Sequence, residues 1–215
     1  MTELLPLFLN VAGRPVVLVG GGRVAAAKLQ QLQAAGACVT VVAPEVGEAI
    51  TTNATVGAAL QGARALRVLT RAFAPEDLDG AWLVVAAATP EVNRAVAAAA
   101  EERRLFVNAV DDPANATAYL SGVVRRDGVT IAISTSGHAP ALTSLLREGL
   151  DALLPHDLPT WIERARAQRV VWRREAVPME QRKPQLLTAL NAIYGSTDED
   201  AASVPWLHAP EDSWL

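Results

Sequence analysis

The chain has 215 residues, 51% hydrophobic and 20% charged, which is length and apolar material for one large domain or a standard domain with a smaller companion. Its net charge of −4 offers no basic face for a phosphate backbone, so a nucleic-acid partner is not expected. One cysteine, Cys38, allows no internal disulfide and fits a reducing, cytoplasmic setting. The first ten residues carry Glu3 where a leader would be basic, and no uncharged apolar run reaches membrane-spanning length.

Val16-Val17-Leu18-Val19 is a continuous apolar run, the pattern of a strand covered on both faces in a parallel sheet. Gly20-Gly21-Gly22 follows at once. Ala25, Leu29, Leu32 and Ala35 then recur at helical spacing, and Gly36 stands where a left-handed cap belongs. Residues 38–42 form a second β-rich run, ended by Pro44. Residues 45–63 are weakly patterned, with room for a short helix. Leu66 to Leu69 and Trp82 to Ala87 predict the third and fourth strands. Thr89-Pro90 marks a helix start, with Thr at the cap and Pro at the first helical position. That helix runs to about Arg104, and a fifth strand spans residues 105–108. Strands alternating with helices of this length imply an α/β fold with a doubly wound parallel sheet, a Rossmann domain.

Asp112-Pro113 breaks the alternation. Residues 117–126 and 128–135 predict two strands around the hairpin turn Asp127-Gly128. The polar loop Ser134-Thr135-Ser136-Gly137-His138 precedes a helix opened by Pro140 that carries Leu142, Leu145, Leu146 and Leu150 on one face. The chain from Pro155 reads as helical, and the last twenty residues as a loose tail.

Gly20-x-Gly22-x-x-Ala25 matches the dinucleotide fingerprint. Gly20 permits the tight turn, Gly22 lets the pyrophosphate approach the backbone, and Ala25 lets the helix pack on the strand. The helix start, with Arg23 and Val24, adds N–H groups and a positive dipole end. Ala43-Pro44 stand where the usual ribose-binding acid would end the second strand. Either Glu45 accepts from a ribose hydroxyl or Pro44 simply shapes the loop. No arginine directly follows that strand, which favours NAD over NADP. The candidate cofactor residues are thus Gly20 to Val24, Pro44, Glu45 and, after the fourth strand, Thr89. His138, His156 and His208 are far apart and show no metal-ligand spacing.

Several longer motifs carry a family resemblance. They are Leu5-Pro6-Leu7-Phe8-Leu9, Gly20-Gly21-Gly22-Arg23-Val24-Ala25 with Lys28, Gly80-Ala81-Trp82-Leu83-Val84, residues 107–113 (Val-Asn-Ala-Val-Asp-Asp-Pro), and residues 130–137 (Thr-Ile-Ala-Ile-Ser-Thr-Ser-Gly). In order and spacing, residues 4–155 closely resemble the N-terminal domains of siroheme synthases. That family comprises precorrin-2 dehydrogenases, some of which are also sirohydrochlorin ferrochelatases.

The resemblance implies NAD-dependent oxidation of precorrin-2 to sirohydrochlorin, with the tetrapyrrole as the small-molecule partner. It also implies a homodimer. It divides the chain into an NAD-binding Rossmann domain (1–113), a small α+β dimerisation and substrate domain (114–153) and a helical C-terminal region (154–215). Asp111 falls on the family's catalytic position, and Ser134, Thr135, Ser136 and Gly137 on a segment lining the macrocycle side of the cleft. A turn cap is the simpler role for Asp111 or Asp112, and a helix-capping loop for residues 134–137. Arg125, Arg126 and Arg147 are candidates to meet the substrate's carboxylates. Two competing functions remain: a Rossmann oxidoreductase acting on another small substrate, and a dinucleotide-sensing module without catalysis.

Overall fold

The structure is a computed structural model, and it describes residues 3–52 and 66–194. The five apolar runs become five parallel strands: β1 (Pro15–Val19), β2 (Cys38–Ala43), β3 (Leu66–Thr70), β4 (Leu83–Ala86) and β5 (Phe106–Ala109). Their order in the sheet is β3-β2-β1-β4-β5. The crossover falls beside β1, and it makes the carboxyl ends of β1 and β4 the natural ligand crevice.

Helix α1 (Arg23–Ala34) covers one face of the sheet and α2 (Pro90–Glu102) the other. Strand alternation divides the core between them. Val16 and Leu18 pack with Ala25, Leu29 and Leu32 on the α1 side. Val17 and Val19 pack with Val96, Ala99 and Ala100 on the α2 side. Gly36 closes α1 at φ +78°. The Ala37 N–H donates to Leu32 O and the Gly36 N–H to Gln33 O, a Schellman ending that needs the left-handed residue the sequence supplies. Residues 48–52 are helical. The rest of the weakly patterned stretch, and the expected loose tail, lie outside the described residues.

The chain divides into two compact units: residues 1–120 with 134–139, and residues 121–133 with 140–215. In the second, β6 (Gly122–Arg126) and β7 (Val129–Ile133) form an antiparallel hairpin. Its turn residues Asp127 and Gly128 both have positive φ, as a right-twisted two-residue hairpin requires. Helices α3 (Pro140–Leu153), α4 (Leu158–Arg174) and α5 (Met179–Tyr194) follow. Leu158, Trp161 and Leu190 form a small core there, and the Trp172 indole N–H donates to Gln185 at 2.7 Å.

The hairpin strands are shorter than the sequence predicts. Residues 117 and 118 belong to the Rossmann unit instead. Their N–H groups both donate to Val107 O at 2.9 Å, and the Thr117 hydroxyl accepts the Val107 N–H. The fifth strand is also displaced by one residue, to Phe106–Ala109.

Candidate dinucleotide site

The turn after β1 is clasped from two sides. Gly20 has φ +128°, and its N–H donates to Val42 O at 2.9 Å. A Cβ on Gly20 would lie 2.2 Å from Ala87 O, and one on Gly21 would lie 1.8 Å from Glu45 O. The loops after β4 and β2 therefore both close on this turn, and neither position tolerates a side chain. Gly22 is different, because a Cβ there meets nothing within 4 Å. Gly22 is the N-cap of α1 and no side chain caps the helix, so the first-turn N–H groups face the open side. This is the geometry an incoming pyrophosphate needs, and the residues present fit a dinucleotide. Ala25, the third small residue of the fingerprint, is fully buried beneath the turn.

A cleft of about 230 Å³ opens beside the turn, lined by Gly21, Gly22, Arg23, Gly47, Glu48 and Ile50 among others. The Gly47 N–H donates to Gly21 O at 2.9 Å, which ties the loop after β2 to the turn. Arg23 and Val24 are exposed at the start of α1, and Pro44 and Glu45 are exposed on the adjoining loop. Thr89 is the N-cap of α2, as its position predicts, but its side chain makes no capping bond. It hydrogen-bonds the Glu91 carboxylate, which is held below its ordinary pKa first by backbone and then by this bond. The loop is fixed by Asn93 instead. Asn93 is buried, and its Oδ1 accepts the Ala88 N–H at 3.1 Å.

Asp111 lies two residues past β5, exposed and at φ +56°, a left-handed conformation uncommon outside glycine. The turn-holding work falls to its neighbour: the Asp112 carboxylate accepts the Asn115 side-chain N–H at 2.7 Å. Lys28, on α1, is a charged group that interacts with Asp111. Burial pushes the Lys28 ammonium below its ordinary pKa, and the Asp111 carboxylate partly restores it. Val110, next to Asp111, packs against the cluster that contains Ala25 and Leu29, which lie on α1 within one turn of Lys28. Asn108 is 6% exposed. Its Nδ2 donates to Ala118 O, while its Oδ1 has no partner among the described residues. Unsatisfied buried acceptors are rare and call for an explanation.

The Ser134–Gly137 loop packs with the Rossmann unit. Ser136 and Gly137 both have positive φ, and a Cβ on Gly137 would stand 3.0 Å from Pro113 Cγ. The motif after β5 and the serine loop, well separated in sequence, thus meet. Within the loop the Thr135 hydroxyl accepts the Ala139 N–H and the Ser134 hydroxyl the Ser136 N–H. In the second unit Arg125 is exposed. Arg126 donates to Leu154 O, Asp151 O and the Asp151 carboxylate at 2.7–2.9 Å, so it closes the end of α3. Arg147 pairs with Glu148. Among the described residues no group of three His, Cys, Asp or Glu is placed to hold a metal ion, and no helix is long and apolar enough to cross a membrane.

Asn93 and Glu48 have no signal in the sequence, and Asn108 stands out there only as part of the motif 107–113. A polar residue at a buried helix or strand position looks like any exposed one until its neighbours are known. Glu48 lies in the stretch without clear periodicity.

Sheet order, glycine turn and crevice together define a dinucleotide-binding Rossmann domain. Residues 7–122 match the family described as "Putative NAD(P)-binding", and the chain belongs to that family. Its dinucleotide cofactor is thereby borne out. The resemblance to siroheme synthases also holds. The chain is 43% identical over 157 residues to siroheme synthase 3 of Aeromonas hydrophila, covering 73% of this chain and 32% of that protein. It is 41% identical over 181 residues to siroheme synthase 1 of Pectobacterium atrosepticum, covering 83% and 36%. The chain spans about a third of the length of these curated relatives. A solved structure, "SirC, precorrin-2 dehydrogenase", shares the fold, with TM-score 0.65, 22% identity and coverage of 95% of this chain and 98% of that one.

Proposed function

We propose that the chain oxidises precorrin-2 to sirohydrochlorin with NAD as hydride acceptor. The observation that carries this reading is Asp111: exposed beyond β5, held in a left-handed conformation, and relieved of the turn-holding role by Asp112. Backbone outliers of this kind cluster at working sites. Relationship to siroheme synthases supplies the substrate.

Gly20, Gly21, Gly22, Arg23 and Val24, with Pro44, Glu45 and Thr89 beside them, would hold NAD, which when bound would supply a nicotinamide as hydride acceptor. Asp111 takes the accompanying ring proton as general base. Ser134, Thr135, Ser136 and Gly137 orient the macrocycle through hydroxyl and backbone N–H groups. Arg125 meets substrate carboxylates. Arg126, committed to the end of α3, shapes that surface. Residues 1–113 serve the cofactor, 114–153 the substrate and the dimer, and 154–215 form the helical region. The protein works as a cytoplasmic homodimer. Its apolar face is the exposed stripe Leu142, Leu145, Leu146 and Leu153 on α3, a patch that a lone surface helix rarely leaves uncovered.

The deciding experiment adds precorrin-2 and NAD to the purified chain, and follows NADH together with the sirohydrochlorin spectrum. Turnover in the wild type, its abolition in Asp111→Asn and retained NAD binding in that variant are expected. Unchanged turnover in Asp111→Asn refutes the catalytic role, and no spectral change in the wild type refutes the activity. A parallel arm with ferrous ion reads chelation.

A further inference from the structure

The acid that usually ends β2 and grips the adenosine ribose is replaced here by Ala43 and Pro44. Ala43 is buried in the sheet, and neither Ala43 nor Pro44 has a side-chain acceptor for a ribose hydroxyl. Glu45, the next acid, presents its backbone to the turn: its carbonyl oxygen occupies the space a Gly21 side chain would take. The acidic residue at the cleft is a later one, Glu48, which is exposed at its rim.

The placement of Glu48 follows from a fixed backbone. The Gly47 N–H donates to Gly21 O at 2.9 Å, and Gly47 O in turn accepts the N–H groups of Ile50 and Thr51. The Thr51 hydroxyl donates to Glu48 O at 2.9 Å. Ile50 is fully buried in the α1-side core and anchors the segment. Glu48 is thereby held at the cleft that begins at Gly21 and Gly22. Its carboxylate enters no ion pair among the described residues.

We propose that Glu48 is the ribose-binding acid of this chain and the residue that selects NAD over NADP. The inference rests on the dinucleotide reading of the same cleft. Two carboxylate oxygens accept from the paired 2′- and 3′-hydroxyls of an unmodified ribose, an arrangement that suits a vicinal diol. A 2′-phosphate in that place would set two anions against each other at short range. Arg23 lines the same cleft and lies at the first helical position, beside the pyrophosphate turn. Removal of the Glu48 charge therefore leaves a net cationic corner.

Calorimetric titration of the purified full-length chain with NAD+ and separately with NADP+ tests this without reference to turnover. The wild type is expected to prefer NAD+. Glu48→Gln should weaken NAD+ binding about tenfold, as loss of a charged hydrogen-bond acceptor does, while NADP+ binding holds or tightens. Glu48→Lys should reverse the preference. Unaltered circular dichroism of both variants assigns the change to recognition. An unchanged NAD+/NADP+ ratio in Glu48→Gln overturns the proposal, as does a wild type that prefers NADP+, or a shift carried by Glu45→Gln instead. A wild type that binds neither nucleotide overturns the dinucleotide reading itself, and the selectivity proposal with it.

Discussion

Gly137 lies against Pro113 so closely that a Cβ on it would stand 3.0 Å from the Pro113 Cγ, with φ at +79°. This contact joins the serine loop to the segment that carries Asp111. Gly137→Ala meets both obstacles, a left-handed backbone and a ring that must give way. The loops should separate by a few tenths of an ångström and the substrate contacts with them. Displacements of this size at a working site reduce turnover strongly. The expected outcome is a loss of about tenfold or more in kcat/KM for precorrin-2, with NAD+ affinity unchanged by calorimetry. Full activity in Gly137→Ala would show that the meeting of the loops has no part in the reaction.

The three glycines of the turn should separate by what their missing side chains would meet. Gly21→Ala drives a methyl group into Glu45 O, a backbone atom that cannot rotate away. It should destabilise the chain by at least about 2 kcal/mol and lower the melting temperature accordingly. Gly22→Ala meets nothing in the protein, and Ala for Gly at an N-cap costs only about 0.5–1 kcal/mol. It should fold normally yet lose NAD+ affinity, because its methyl group occupies the ligand's side. Thermal melts beside nucleotide titrations distinguish the two effects. A Gly22→Ala protein with unchanged NAD+ affinity would place the pyrophosphate elsewhere.

The parallel sheet is readable because β1 and β4 are short, wholly apolar runs and the other strands are rich in apolar residues. Buried on both faces, β1 has no polar position to blur it. The glycine fingerprint likewise occupies the loop the sequence assigned to it. The hairpin strands are shorter than the sequence predicts because the pattern of residues 117–121 shows a half-buried extended chain and not its partner. Thr117 binds Val107, a contact ten residues back that no local pattern announces. The clasp of Glu45 on Gly21 and the bond from Ala88 to Asn93 are also tertiary facts. Pattern could locate the cofactor turn, but not the side chains that other elements bring to it.

Arg126 illustrates the same limit and gives a stability prediction. The sequence offered it as a substrate contact, whereas its guanidinium donates to two carbonyl oxygens and to the Asp151 carboxylate. Cations at the carbonyl end of a helix are favourable, and hydrogen bonds to charged groups contribute about 1.5–3 kcal/mol. Arg126→Ala should lose stability in that range by urea unfolding, with Arg126→Lys recovering only part, since one ammonium cannot span all three acceptors. Arg125→Ala, by contrast, should leave stability within about 0.5 kcal/mol of wild type, as for other exposed positions. Equal stability losses at 125 and 126 would contradict this division.

Lys28 should make stability depend on pH at the alkaline end. Burial outweighs the attraction of Asp111 and sets its folded pKa below the ordinary value of 10.5. Below both values the lysine is protonated whether the chain is folded or not, and the cost of burying the charge is felt in full. As pH rises through the lowered folded value, the folded chain sheds the proton while the unfolded chain keeps it. The unfolded state then binds more protons, and stability increases with pH until 10.5 is passed. Lys28→Met removes the buried charge. It should therefore raise stability at neutral pH and abolish this alkaline increment, read as the difference between wild-type and variant urea midpoints across a pH series. A Lys28→Met chain less stable than wild type at neutral pH would mean that the attraction to Asp111 exceeds the cost of burial. The same variant also separates stability from chemistry: if Lys28 holds the Asp111 carboxylate in place, precorrin-2 turnover falls even as the fold becomes more stable.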